Sequence, residues 1–424
     1  MFHSDAEKLI GQIRERSIPL NRPDDLDAIV EAAADARVVL LGEASHGTSE
    51  FYTLRMEITK RLIRTKGFHF VAVEGDWPSC GTLNRYVKNA PGAAVSVREA
   101  LEDFNRWPTW MWANREVMEL ADWLRKHNDE LSQSGRKVGF YGLDVYSLWE
   151  SMEEVIRHLE RTGASELQTA KEAFACFDPF SRDPQTYGVS AAFFSDTCED
   201  EVVKLLSELR AKRKRAEEDA EAALHDEVNA LVAVNAERYY RSMVRGGPES
   251  WNIRDEHMVE ALNRVRAFYG PDAKAIVWEH NTHIGDARAT DMAEEGMVNV
   301  GQLVREQLGR DQVFAVGFGS HRGTVIAARE WGGEIERMDV PPAIDGSWED
   351  LMHRAGREDK IVMLREHEDL FAETIGHRAI GVVYHPRRER GNYVPSRMSS
   401  RYDAFVYVDV TKALEPLQVE VLHV

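Results

Sequence analysis

Short, continuous apolar runs recur along the chain at residues 38–41, 70–73, 138–141, 275–278, 313–316, 361–364 and 380–384. Runs of this length without polar alternation predict strands buried on both faces, the pattern of a sheet covered by helices. Helical spacing lies between them. Leu54, Ile58 and Leu62 follow at intervals of four; Val202, Leu205, Leu206 and Leu209 keep the i, i+3, i+4, i+7 pattern, and Leu224, Val228, Leu231 and Val232 repeat it. Residues 195–245 therefore read as one long helix or a broken pair, with KRKRAEEDAEAA as its solvated face. Strand signals are missing between the third and fourth runs, which predicts a large helical insertion at about 145–270. Strands alternating with helices imply a mostly parallel central sheet flanked by helices, an α/β fold. No linker or boundary interrupts 1–424, so one domain carrying the insertion is expected.

The polar residues cluster where the runs end. The first passes into Gly42-Glu43-Ala44-Ser45-His46-Gly47, the second into Glu74-Gly75-Asp76 and the third into Gly142-Leu143-Asp144. The fourth passes into Glu279-His280-Asn281-Thr282-His283, and the fifth into Gly317-Phe318-Gly319-Ser320-His321. Ligands of open α/β sheets bind at the carboxyl ends of the strands. In a parallel sheet these segments converge on one rim, where a general base, its orienting partner and charged neighbours come from separate strands. Strand ends are also polar simply because the chain leaves the core, but several Glu and His residues together favour a site.

Composition narrows the partners. Lys and Arg number 53 against 72 Asp and Glu, a formal net charge of −19. Broad binding to nucleic acid or an anionic membrane needs a cationic surface and is not expected. No run is long enough for a membrane span, and the start, MFHSDAEKLI, has no apolar core of a secretory signal. Cys80, Cys176 and Cys198 are too few and too scattered for a disulfide framework, and no CxxC spacing exists. A reducing, cytoplasmic setting follows from that reading.

Familiar catalytic signatures are missing: no GxSxG, no HExxH, no P-loop and no GxGxxG opening a helix after a strand. The remaining His and carboxylate side chains suit activation of water. His is the natural base, a neighbouring carboxylate fixes its tautomer, and Arg stabilises the oxyanion formed when water adds to an ester carbonyl. Two His with two or three carboxylates also make a ligand set for Zn or Mn, and His280-x-x-His283 suits a shared metal, so a metal-dependent hydrolase is the alternative. Glu43 stands three positions before His46, either to orient it or to cap the next helix. Glu74 ends a buried strand and needs a partner, whether catalytic or a structural ion pair. Trp107, Trp110 and Trp112, with Trp77, could wall an apolar cleft or pack in the core.

The combination of GEASHG at 42–47, Arg55 in the following helix, Val-Glu-Gly at 73–75, Asn-Ile-Arg-Asp at 252–255 and Glu-His-Asn-Thr-His at 279–283 resembles the erythromycin esterase family in order and spacing over nearly the whole chain. The resemblance implies a hydrolase without metal or other cofactor that opens the lactone of a macrolide, or cleaves a related ester, with activated water. His46 falls at the position of the general base. Glu43, Arg55, Glu74, His280 and His283 fall at the other active-site positions, and Arg254 at a cleft arginine that binds substrate. Trp77 and Trp110 are added as substrate-binding aromatics. Relatives named for succinoglycan biosynthesis imply a further alternative, a non-catalytic protein that binds a small molecule.

Overall fold

Alternate residues of the central strands enter different cores, which is why the runs read as continuously apolar. The computed structural model of the chain describes residues 3–131, 135–194, 197–213, 220–417 and 422–423. Its strands, in chain order, are β1 (Ser17–Pro19), β2 (Val38–Leu41), β3 (Phe70–Asp76), β4 (Gly139–Asp144), β5 (Ala275–Trp278), β6 (Val313–Ala328), β7 (Ile335–Val340), β8 (Lys360–Met363), β9 (Thr374–Arg378), β10 (Tyr393–Arg397), β11 (Ala404–Thr411) and β12 (Leu422–His423). The main sheet has the order β1-β8-β11-β6-β2-β5-β3-β4, with β7 beside the far half of β6 and β12 beside β7. Pairing is parallel from β11 through β4, and antiparallel where β8 joins β11 and β1 joins β8. The fold is thus α/β with a mostly parallel sheet, as the pattern predicts.

Val39, Leu41, Val71, Val73, Ile276 and Trp278 pack on one face with Ile58 and Leu62 of helix Ser49–Lys66 and Leu120 and Leu124 of helix Arg115–Glu130. Val38, Leu40, Phe70, Ala72, Ala275 and Val277 pack on the other with Met258, Leu262 and Val265 of helix Glu249–Tyr269 and Leu351 of helix Trp348–Ala355. Register levels the strands: Leu41 lies opposite both Trp278 and Val316, and Val73 opposite Trp278 and Gly142. The segments that follow β2, β5, β3 and β4 therefore leave the sheet side by side at one height.

Between β4 and β5 the described residues form helices Leu148–Thr162, Leu167–Cys176, Pro184–Phe194, Glu199–Arg213, Ala220–Met243 and Glu249–Tyr269. The first five share a core of their own that includes Leu148, Met152, Val155, Leu205, Leu209 and Leu231. The 195–245 segment is two helices, Glu199–Arg213 and Ala220–Met243; residues 214–219 of the KRKRAEEDAEAA stretch lie outside the described residues.

Three expectations are corrected. The fifth run does not end at 316: β6 continues to Ala328, and its glycines serve packing, since a Cβ on Gly317 would lie 2.6 Å from the Tyr402 ring. Residues 380–384 are not a strand. They make single bridges, Ile380 to Ser45 and Val383 to Ala328, and are apolar because Ile380 and Tyr384 cover a small core under the β6–β7 ribbon with Val325, Met338 and Val340. Finally, Cys176 and Cys198 form a disulfide, while Cys80 is free and buried. The bond joins the end of helix Leu167–Cys176 to the residue before helix Glu199–Arg213; packing of these helices brings the Cα atoms to 5.8 Å, which the 22-residue spacing did not signal. Cysteine usage thus no longer argues for a reducing compartment. Among the described residues no helix is long and apolar enough to cross a membrane.

Candidate active site

The loop after β2 turns back over the sheet and delivers Glu43 and His46 to the rim. His46 Nδ1 lies 2.8 Å from Glu43 Oε1, and Glu43 Oε2 accepts a hydrogen bond from the Arg55 guanidinium. Arg55 is fully buried; its guanidinium carbon lies 4.6 Å from the ring centroids of both Tyr52 and Trp278, and its Nε donates to Phe51 O at 3.1 Å. Both oxygens of Glu43 are thereby engaged. A carboxylate on Nδ1 fixes the proton there and leaves Nε2 as the basic nitrogen. His46 lines the cleft, so that nitrogen is the one available to a reactant.

The turn after β5 places the His280 ring 4.9 Å from that of His46. Thr282 N–H donates to His280 Nδ1 at 3.3 Å, with Thr282 Oγ1 2.8 Å from the same nitrogen. The proton of His280 is then on Nε2, a buried donor with no protein partner among the described residues. Burial, reinforced by His46, holds the His280 imidazolium well below the usual histidine range, so the ring is neutral. The backbone N–H of His280 donates to Glu74 Oε2 at 2.9 Å, tying this turn to the end of β3.

Glu74 enters a second cluster through its other oxygen. Arg254 Nη2 donates to Glu74 Oε1 at 2.6 Å and to Asp144 Oδ2 at 2.7 Å, while its Nε donates to Asp144 Oδ1 at 2.9 Å. Burial would raise the Glu74 carboxyl, but His283, Arg254 and His46 outweigh it and hold it well below the usual range. Burial likewise opposes ionisation of Asp144 and is outweighed by Arg254. His283 Nδ1 lies 3.0 Å from both oxygens of Asp255, and its Nε2 is 3.4 Å from Glu74 Oε1; Trp251 stacks on the ring at 4.6 Å. Burial alone would lower the His283 imidazolium, but Asp255 and Glu74 on its two edges raise it to about 10. Arg254 Nη1, 3.1 Å from Nε2, faces a protonated nitrogen, so Glu74 is the partner of that proton. Glu279 is fully buried with neither carboxyl oxygen hydrogen-bonded among the described residues, and burial pushes it well above the carboxylate range.

The cleft over this rim encloses about 100 Å³ and is lined by His46, Glu74, Asp76, Arg106, Trp112, Asp144, Tyr146, Arg254 and Trp331, among others. Arg106 forks onto Asp76 with both bonds at 2.6 Å, and Trp112 Nε1 donates to Glu74 O at 3.0 Å. Trp331, 62% exposed at the β6–β7 turn, meets Trp107 edge-on at 4.7 Å. Of the residues singled out from sequence, His46, Glu74, Trp112 and Arg254 line the cleft. Glu43, Arg55, His280 and His283 stand behind them. Trp77 and Trp110 lie away from it: Trp77 stacks on Tyr141 and His225, and Trp110 is buried in the core on the side of helix Ser49–Lys66. The sequence reading named Asp76, Asp144 and Asp255 within motifs without giving them a role, and left out Arg106, Tyr146 and Trp331. Asp144 carried the same strand-end signal as Glu74; Trp331 carried none, because the long β6 brings it over the rim. His321 is not part of the cleft and stacks on His353 at 3.7 Å. Among the described residues no three His, Cys, Asp or Glu side chains are arranged to hold one metal ion.

The family model for erythromycin esterase matches residues 63–411. Erythromycin esterase type II from Escherichia coli is 23% identical over 391 aligned positions, covering 83% of this chain and 88% of the relative. The putative hydrolase YbfO of Bacillus subtilis strain 168 is 22% identical over 410 positions, covering 91% and 86%. Among solved structures, a succinoglycan biosynthesis protein superposes with a TM-score of 0.81 at 18% identity, covering 98% of this chain and 100% of that one. A histidine-to-asparagine mutant of the erythromycin esterase EreC in its open conformation superposes with a TM-score of 0.63 at 17% identity, covering 94% and 96%. These solved structures share the fold. With the strand-end motifs assembled on one rim and the family model matching most of its length, the chain belongs to the erythromycin esterase family.

Proposed function

We propose that this protein hydrolyses a carboxylic ester or lactone with water activated by His46. The observation that carries the reading is the Glu43–His46 pair, which turns a basic Nε2 toward the cleft beside a neutral His280. His46 Nε2 takes a proton as water adds to the carbonyl. Arg55 acts through Glu43, since it is buried behind it and out of reach of a substrate. Arg254 and the ionised Glu74 form the polar floor, and His283 holds both in place. The proton that His46 takes from water passes from its imidazolium to the departing alkoxide, while His280, buried behind the cleft, keeps its own proton and packs against the His46 ring. Every anionic oxygen of Glu43 and Glu74 already accepts a hydrogen bond, which supports a metal-free reaction.

The substrate class rests on the relatives and on size. Drug-sized ligand sites run to about 300–1,000 Å³. A cleft enclosing about 100 Å³ accepts the ester group and its near neighbours, with the bulk of a large lactone lying past Trp331. Mass spectrometry of erythromycin, other macrolides and short activated esters, incubated with wild type and His46→Ala with and without chelator, tests the reading. Gain of one water by a substrate, lost in the mutant and unaffected by chelator, is the expected result. No conversion of any ester by folded protein overturns it and leaves a binding role; loss of conversion with chelator moves the chemistry to a metal.

A further inference from the structure

Behind the rim, on the side away from the cleft, a second chain of buried polar groups runs between elements far apart in sequence. Glu349, in the first turn of helix Trp348–Ala355, accepts hydrogen bonds from His377 Nδ1–H and, at 3.0 Å, from the Arg378 N–H of β9. A donor at Nδ1 makes His377 Nε2 an acceptor, and it receives an N–H of the Asn281 amide at 3.2 Å. Glu349, His377 and Asn281 are all fully buried. Such groups have no access to water and depend on one another for their hydrogen bonds.

Asn281 sits between His280 and Thr282 in the turn that carries the site. Parallel pairing of β2 with β6 closes at Leu41 and Val316, with a last backbone bond from Gly42 N to Val316 O at 2.9 Å. Beyond that point the Asn281 side chain replaces the departing strand. Its Nδ2 donates to Phe318 O at 2.7 Å and its Oδ1 accepts from Phe318 N at 3.2 Å. A Cβ on Gly42 would fall on the same amide oxygen, so only glycine fits there. The Asn281 backbone N–H donates to Glu43 O at 2.9 Å. One residue thus joins β6, the Glu43 loop and the His280 turn. Its amide works in only one orientation. A flipped amide would set oxygen against Phe318 O and N–H against Phe318 N–H, and the Nε2 lone pair of His377 selects the productive one.

We infer that Glu349 and His377 are positioning residues of the site: Glu349 sets the His377 tautomer, His377 sets the Asn281 amide, and Asn281 holds Glu43 and His280 in mutual register. The catalytic part of this inference rests on the esterase reading; the structural part stands without it. Misplacement of reacting groups by about 1 Å can cost about 100-fold in rate.

The test compares wild type, His377→Ala, His377→Gln and Glu349→Gln by amide hydrogen exchange of peptides covering 279–283, and by kcat and KM on an activated ester that the wild type turns over. His377→Ala is expected to speed exchange in this turn while the other central strands stay protected, and to lower kcat about 100-fold at unchanged KM. His377→Gln, whose carbonyl can accept from Asn281, is expected to restore most of kcat, which a role in general stability would not produce. Wild-type exchange and wild-type kcat in folded His377→Ala would overturn the inference. If His377→Ala does not fold, Glu349→Gln decides by ¹⁵N spectroscopy of the His377 ring: loss of the fixed Nδ1–H tautomer with faster exchange supports the relay, and an unchanged tautomer overturns it. If the wild type cleaves no ester, the function reading has failed, and exchange in the turn still decides the structural relay.

Discussion

The rings of His46 and His280 stand 4.9 Å apart, yet each turns its Nδ1 to a different kind of partner. His46 faces the carboxylate of Glu43, whereas His280 accepts from the backbone N–H of Thr282. Two adjacent imidazoles therefore carry their protons on opposite nitrogens. One presents at Nε2 an acceptor that takes the proton from water and, as imidazolium, returns it to the leaving group; the other keeps a buried donor at Nε2 and stays neutral beside it.

His46→Ala is expected to lower kcat about 10²- to 10⁴-fold, the range of a positioned general base. Glu43→Gln keeps the shape but weakens the hold on Nδ1, and a smaller loss is expected. Single-turnover assays with thermal melts separate this from unfolding: a His46→Ala protein that keeps wild-type kcat would remove His46 from the reaction.

Stability should fall on both sides of neutrality. His257 is buried and His225 half-buried, and both are lowered to about 4, with desolvation the main cause. As pH falls from about 6.5 toward 4 the unfolded state binds protons that the folded state does not, so stability is lost on the acid side. His283 is raised to about 10, so its contribution is fully present below about 6.5 and is lost as pH rises toward 10. Melting temperature measured against pH is expected to show both limbs, with His283→Gln flattening the alkaline one. An unchanged alkaline limb in that variant would count against the Asp255–His283–Glu74 ion pair.

Trp331 is exposed and packs against Trp107 at the mouth of the cleft. Trp331→Ala is expected to change stability by less than about 0.5 kcal/mol, as for surface positions generally. It should alter KM for bulky esters more than for small ones. Equal effects on both would mean that substrate does not pass this residue.

The disulfide predicts a thiol count. Oxidised protein, denatured without reductant, should release one thiol per chain, from Cys80. Three thiols would mean that Cys176 and Cys198 do not pair. Replacing both by Ser is expected to cost about 3 kcal/mol in denaturant unfolding, the scale for closing a loop of roughly this length.

What the sequence determined by itself was local. Four-residue apolar runs with both faces buried specify β2 and β5, and spacing by four specifies helix Ser49–Lys66, because burial acts on each residue through its own periodicity. Glu43, His46, Glu74 and His280 were visible because a parallel sheet in level register must bring successive strand ends to one rim. The tertiary structure alone decided the rest. Which tryptophans face the cleft depends on how the 104–112 segment and the β6–β7 turn fold over the rim, so Trp112 and Trp331 line it while Trp77 and Trp110 do not. The division of charge was equally hidden. Arg254 and Asp144 are 110 residues apart, and His377 and Asn281 are 96 apart. A hydrogen bond between such residues follows from the path of the whole chain, and no local pattern encodes its geometry.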